Sequence, residues 1–338
     1  REEAEIKGFK SFRPFHEKGS SDGIVRVFTA LEQDIREWVA RLGFRDAQQL
    51  VGRGDLLQQM AFHDRIDLSP LLKRISLHSI SKHLPGVGRR LARPRNFLTR
   101  EITNMVAEYV SRGENELTYD DEHVMAHDRA LGVHLAGAIQ RNDFENAQEI
   151  KAIHLNFSNS AVPGNGLASF LNDPIEVLVE GGAQDGVAKC AKGGFVAILR
   201  GLNHNGQRVD GSVGKSFAYG AQGGFFIVQG YADTRACIRL SGADVIFGAE
   251  VREPLQDHLG NLATRANLKG YACEYMTSGR VLIMGDPGPW LCAGMTGGVI
   301  YQRFQPEMNL DVDAIRRRLA KGATVEIYQL NDQGIADV

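Results

Sequence analysis

From about residue 150 onward, apolar residues fall into short runs: Ile175-Glu176-Val177-Leu178-Val179, Phe195-Val196-Ala197-Ile198-Leu199, Phe225-Phe226-Ile227-Val228, Asp244-Val245-Ile246-Phe247, Val281-Leu282-Ile283-Met284 and Val299-Ile300-Tyr301. Runs this short, rich in β-branched and aromatic residues, predict strands buried on at least one face. Starts at 175 and 195, 225 and 244, and 281 and 299 lie 18 to 20 residues apart. Glycine turns stand just before the strands: Gly193-Gly194, Gly223-Gly224, Gly242, Gly279 and Gly297-Gly298. A period near 19 suits one coil of a solenoid, in which each coil buries its inner face only against the next. Glycine is expected at the corners, where the backbone takes positive φ and stacked coils approach closely. Ala191, Ala221, Ala243 and Ala293 suit a narrow interior. The predicted fold is mainly β: a right-handed parallel β-helix over 151–310, with 254–267 looping out of one coil.

Ahead of it the period is helical. Ile24, Val27, Phe28, Leu31, Ile35, Trp38, Val39 and Leu42 recur every three or four residues, predicting an amphipathic helix over Asp22–Gly43 capped by Ser21 or Asp22. Asp46 is expected to cap a short helix over Ala47–Val51, ended by Gly52. Lys82 to Arg100 is basic and broken by Pro85 and Pro94; it reads as an extended linker, with an anionic-ligand or nucleic-acid patch as the alternative. Glu101–Val110 is a short strand or helix, Ser111–Glu116 a polar loop and Asp128–Ile139 a helix. After the solenoid, Asp311–Lys321 reads as a helix stopped by Gly322, and 323–330 as a last strand. The expected segments are therefore 1–110 (helical, with the linker), 111–150 (connecting helical region), 151–310 (β-helix) and 311–338 (C-terminal helix and tail).

Composition changes little. The 338 residues are long enough for two domains, and 39 basic residues against 41 acidic give no global field toward nucleic acid or membranes. No apolar stretch approaches a bilayer span, and the N-terminus lacks a signal core. Without a starting Met, the chain is expected to be a piece of something longer. Cys190, Cys237, Cys273 and Cys292 stand singly, which is neither a disulfide framework nor a Cys-x-x-Cys metal site, so a reducing cytoplasm is the expected setting.

Candidate chemistry is sparse. Gly211-Ser212-Val213-Gly214-Lys215-Ser216 ends like a phosphate-binding loop, but the earlier glycine is Val209 and no helix pattern follows. Gly86-Val87-Gly88 lacks the third glycine and the βαβ setting. His123 and His127 could chelate a metal from one helical face, but no third ligand is in view. The four cysteines could converge in the interior, though a buried cysteine ordinarily acts as a small hydrophobe. Glu274 and Tyr275 are expected to bond the coil backbone. No residue is assigned to catalysis, cofactor or metal.

At the coils, Gly211–Gly224, Ala232–Ala243, Cys273-Glu274-Tyr275-Met276-Thr277 and Ala293-Gly294-Met295-Thr296-Gly297-Gly298 resemble the C-terminal β-helix domain of the glutamate synthase large subunit. Related domains occur in a structural subunit of formylmethanofuran dehydrogenase. Val25–Phe28, Ile35–Phe44 and Leu50–Leu57 are similar to the segment that closes the FMN-binding barrel of glutamate synthase, and Asp128–Gly137 to the helix leading into its β-helix. This likeness favours glutamate synthase; a structural subunit of a formylmethanofuran dehydrogenase or formyltransferase/hydrolase complex is the alternative. A stand-alone ligand-binding solenoid is a third reading. The chain departs from the family form at Gly186 and Cys190, matches loosely over Ser158–Phe170, and contains no three-cysteine cluster motif, no amidotransferase nucleophile and no FMN-cradling strands. The resemblance implies a non-catalytic component of an FMN and iron–sulfur oxidoreductase. It implies FMN and the cluster in a partner domain, partners that include the FMN barrel and a glutamine amidotransferase, an oligomeric complex, and glutamate made from glutamine and 2-oxoglutarate by the whole assembly.

Overall fold

The computed structural model describes residues 17–74 and 96–338, and the chain forms two compact units, residues 1–93 and 94–338.

In the first unit, helix α1 (Glu17–Arg41) starts five residues before the expected Asp22. Nothing in the polar stretch ahead of Asp22 breaks the helix, so the residues read as caps lie inside it. Gly43 ends it at φ +80°, where an L side chain would be strained. Among its described residues only Val39 is buried; Phe28 is 67% exposed and Trp38 56%. The short element after it is a tighter 3-10 turn, Ala47–Leu50, and Asp46 caps it by accepting the Gln48 N–H at 2.7 Å. The basic run lies almost wholly in residues 75–95, with Gly86-Val87-Gly88, outside the described residues. Its last residues are not linker.

They open helix α2 (Phe97–Ser111) in the second unit, where Asn96 accepts the Thr99 N–H at 3.3 Å as the cap. Leu98, Ile102, Val106 and Val110 recur at helical spacing and are all buried in the main core, which settles the strand-or-helix ambiguity and removes 97–100 from the expected linker. Strand β1 (Glu116–Asp121) follows where a connecting helical region was expected. Its charged residues hide the strand pattern, because this edge strand buries Leu117 and leaves most of its other side chains partly or fully exposed. The expected helix over Asp128–Ile139 is shorter: α3 spans Val133–Gln140, and left-handed Gly132 (φ +84°) holds 128–132 out of it.

The remaining strands are β2 (Ala152–Ala161), β3 (Ile175–Ala183), β4 (Lys192–Leu199), β5 (Gly201–Leu202), β6 (Arg208–Val209), β7 (Ser212–Val213), β8 (Gly223–Val228), β9 (Ser241–Phe247), β10 (Ser278–Ile283) and β11 (Val299–Gln302). They make a nine-stranded sheet in the order β1-β2-β3-β4-β8-β9-β10-β11, with β7 paired to β3, while β5 and β6 form a separate antiparallel hairpin. Every pairing in the large sheet is parallel. Sequence neighbours become spatial neighbours in one continuing register: Leu155, Val177, Val196, Phe226, Val245 and Val281 oppose one another in turn. All six are buried, and each such side chain contributes roughly 1.5–3 kcal/mol by leaving water.

The glycine pairs divide two demands between them. Gly194, Gly224, Gly279 and Gly298 take φ of +80°, +104°, +97° and +88°. Gly223, Gly242 and Gly297 instead pass so close to the preceding repeat that a Cβ would sit 2.5, 2.3 and 2.3 Å from the carbonyl oxygens of Lys192, Gln222 and Thr277. At Gly193 the obstacle is the Asp173 carboxylate, 2.8 Å away.

Past β9 the chain loops through 248–267, and Val251 packs with Leu310, Ala314 and Ile315 in a second small core. Helix α4 (Val312–Arg318), capped by Asp311, stands where the C-terminal helix was expected. No strand forms over 323–330. Although the segment alternates, no strand pairs with it, and Ile327, Tyr328 and Leu330 are exposed. It leads into a short helix, α5 (Asp332–Asp337), whose Asp337 accepts bonds from Arg280, at 2.9 Å, and from the Tyr301 hydroxyl.

Candidate functional site

Between successive strands of the sheet, the second unit turns through five-residue segments with alternate residues left-handed. They are Gly166/Ala168/Phe170, Gly186/Ala188/Cys190, Ser216/Ala218/Gly220, Arg235/Cys237/Arg239, Tyr271/Cys273/Tyr275 and Trp290/Cys292/Gly294, all at φ between +53° and +82°, with Ala130/Gly132 as a shorter forerunner. The alternation has a hydrogen-bond reason. Within each turn the left-handed residues bond in alternating directions along the series of repeats. The middle amide bonds backward: Ala188 to Leu167 O (3.0 Å), Ala218 to Val187 O (2.8 Å), Cys237 to Phe217 O (2.8 Å), Cys273 to Ala236 O (2.9 Å) and Cys292 to Ala272 O (3.0 Å). The flanking amides bond forward: Gly186 to Lys215 O, Cys190 to Tyr219 O, Arg235 to Gly270 O and Arg239 to Glu274 O. Each turn is therefore bonded on both sides, and buried backbone groups are satisfied without a regular strand.

The middle side chains point inward and are small. Ala168, Ala188, Ala218, Cys237, Cys273 and Cys292 form one buried column. Three of the four cysteines thus converge, and Cys190 does not, since it takes an outer position and is only half-buried. The hydrogen bond with Cys237, together with burial, pushes the Cys273 thiol well up; burial and then Cys273 push up Cys292. Cys273 and Cys292 are therefore held in the protonated form at neutral pH.

The outer positions carry a ladder of rings and cations. Tyr271 stacks on Trp290 at 4.7 Å and 14°. Arg235 lies over Tyr271 at 5.9 Å, Arg239 over Tyr275 at 5.3 Å, and Lys189 over Tyr219 at 5.0 Å. Glu274 and Tyr275, expected to bond the coil backbone, belong here instead, because the outward-facing turn gives their side chains no backbone partner. The Glu274 carboxylate sits 3.7 Å from Arg235 Nε, with Oε2 buried and without a hydrogen-bond donor.

The other sequence candidates separate. His123 and His127 lie in an irregular loop, not on a helix, because 122–128 is organised by Asp128, which accepts from Asn96 at 2.9 Å and from the Met125 N–H at 2.9 Å. Among the described residues no three His, Cys, Asp or Glu side chains group as a metal site. The phosphate-loop lookalike runs through β7 into a turn, and a Cβ on Gly214 would meet the Asp185 carboxylate at 2.3 Å. An acid there repels a phosphate. Among the described residues, the phosphate-loop lookalike forms no phosphate cradle, and Cys237, Cys273 and Cys292 are packed in the core.

Beside the last turn lies an ion cluster that pattern reading missed. Arg318, 1% exposed, holds buried Asp286 through Nη2 at 2.8 Å and Asp257 through Nη1 at 2.8 Å and Nη2 at 2.9 Å. Asp286 also accepts the Gly288 N–H, and Arg318 O accepts the Leu291 N–H at 2.8 Å. The Arg318 guanidinium holds the Asp257 carboxyl below its usual range. The three residues are dozens of positions apart, so no local signal joins them. No described helix is long and apolar enough to cross a membrane.

A family model described as the GXGXG motif matches residues 99–326. Its spacing of alternate glycines is the spacing of the left-handed positions, which this chain fills largely with other residues. Ferredoxin-dependent glutamate synthase of Cyanidium caldarium is 27% identical over 332 residues, covering 94% of this chain and 20% of its own length. Ferredoxin-dependent glutamate synthase 2, chloroplastic, of Arabidopsis thaliana is 28% identical over 310 residues (88% and 18%). The glutamate synthase [NADPH] large chain of Bacillus subtilis is 27% identical over 314 residues (89% and 18%). The chain spans about a fifth of the length of these relatives. It belongs to the GXGXG motif family and carries the region this family shares with glutamate synthase large chains.

Proposed function

We propose that the chain is a non-catalytic, structural component of a glutamate synthase-like FMN and iron–sulfur oxidoreductase, with residues 151–310 wound as a right-handed β-helix. The whole assembly makes glutamate from glutamine and 2-oxoglutarate. The flavin barrel, the cluster and the amidotransferase lie in other domains or chains that this component holds in register. The observation that carries the reading is the continuous match of about nine-tenths of this chain to about a fifth of the glutamate synthases. Construction supports it: backbone groups of each turn are used in bonding the next, the Cys273 and Cys292 thiols are held protonated, and buried Arg318 forms structural ion pairs with Asp257 and Asp286. Such a stack is rigid, since every repeat is bonded on both sides. The working compartment is proposed to be the cytoplasm.

The experiment is reconstitution. The purified chain, incubated with FMN, iron and sulfide and then desalted, is expected to show no flavin or cluster absorbance. Mixed with the flavin-barrel and amidotransferase portions of a glutamate synthase, it is expected to co-elute with them and restore glutamine-dependent glutamate formation. Retained flavin would overturn the non-catalytic reading, and failure to associate would overturn the assembly reading.

A further inference from the structure

We propose that the outer face of the turn stack, centred on Arg235, Arg239, Tyr271, Tyr275 and Trp290, docks a carboxylate-rich protein segment. The inference stands whether or not the chain works in a glutamate synthase-like assembly.

The first observation is strain without a packing return. These five residues hold φ of +64°, +55°, +55°, +54° and +60°, a region in which a Cβ is crowded and glycine is not. Glycine fills equivalent outer positions in the same stack at Gly166, Gly186, Gly220 and Gly294. At the five sites large side chains stand instead, and four of them bury little: Arg239 is exposed, Trp290 is 48% exposed, Tyr275 49% and the Arg235 side chain 57%, while Tyr271 is half-buried. Strain kept at exposed positions points to function.

The second observation is order. Tyr271 on Trp290, Arg235 over Tyr271 and Arg239 over Tyr275 fix these long side chains before any partner arrives, so less rotamer freedom is lost on binding.

The third is charge. Lys189 lies in one turn, Lys215 just before the next, and Arg235 and Arg239 in the one after. Of the acids nearby, Glu274 pairs with Arg235, while Asp185 and Asp233, which accept the Lys215 and Thr234 N–H groups, keep their charge and place the docking centre at Arg239 with the rings of Tyr275 and Trp290. A guanidinium lying on a ring keeps N–H groups for carboxylate oxygens. A nucleic acid fits less well, because binding single strands takes open ring faces for bases, and here Tyr271 and Trp290 cover each other while arginines cover Tyr271 and Tyr275.

The test uses the full chain with Trp38→Phe, so that Trp290 is the one remaining tryptophan. An oligoglutamate peptide and an oligothymidylate of matched charge are titrated at low salt. The peptide is expected to change Trp290 emission and to bind roughly tenfold tighter than the oligonucleotide. The pair Arg235→Gly and Arg239→Gly is expected to weaken the peptide by roughly tenfold with an equal or higher Tm. The pair Arg235→Gln and Arg239→Gln, which keeps the Cβ, is expected to lose the same affinity. The proposal is overturned if the peptide does not bind, if the oligonucleotide binds as tightly, if both variants keep full affinity, or if the glycine pair melts several degrees lower.

Discussion

The sheet side and the turn side of residues 96–338 solve one problem in two ways. On the sheet side, extended residues bond their neighbours through a regular parallel ladder, and the inward column Leu155, Val177, Val196, Phe226, Val245 and Val281 is bulky. On the turn side the same repeats are bonded by residues that alternate into the left-handed region, and the inward column is alanine or cysteine throughout. The reversal of alternate amides bonds each turn in both directions, and every buried middle side chain there is an alanine or a cysteine. Side-chain volume therefore stabilises the sheet side, and backbone conformation the turn side.

Several substitutions sharpen or break that contrast. The largest effects belong to the groups with the most to lose by burial. Arg318→Leu strips buried Asp286 of its counter-charge, and urea unfolding is expected to show a loss of about 3–5 kcal/mol. Phe226→Ala, in the bulky column, should cost about 3–5 kcal/mol through lost burial and a cavity, whereas Cys237→Ala, in the small column, should cost about 1 kcal/mol or less. Similar losses at both sites would erase the distinction. The opposite change, Cys237→Leu, overfills the narrow side and is expected to cost about 1–3 kcal/mol.

A smaller effect is acid-dependent. The Asp257 carboxyl is held below its usual value, first by Arg318. A depressed folded value contributes stability that is complete above the unfolded value near 3.8 and is lost as pH falls through the folded one. Wild-type protein should thus lose stability below about pH 4 more steeply than Asp257→Asn, as read from thermal midpoints across that range.

The two sides were unequally legible in the sequence. The strands show in runs such as Phe225–Val228 because a bulky inward column forces β-branched and aromatic residues, and the glycine turns show because close approach admits nothing else. The turn alternation hides for the opposite reason. The same left-handed geometry is occupied by Gly186, Ser216, Arg235, Tyr271 and Trp290 in one column, so no residue type marks it; only the small middle residue recurs. Strand β1 was missed because an edge strand tolerates Glu116, Asp120 and Asp121. The segment 323–330 has the alternation of a strand but pairs with none, and no local pattern reveals this. Arg318, Asp257 and Asp286 meet only through the fold, and the resemblance in Cys273–Thr277 located the family without locating their clamp.

The contrast rests on the turn amides being structural members equal to those of the ladder. Residue-resolved hydrogen exchange on the full chain tests this directly. Ala188, Ala218, Cys237 and Cys273 are expected to be protected to within about tenfold of Val196, Phe226, Val245 and Val281, opening in the same cooperative unit. Exchange of the four turn amides on the timescale of exposed loops, while the strand amides stay protected, would contradict it.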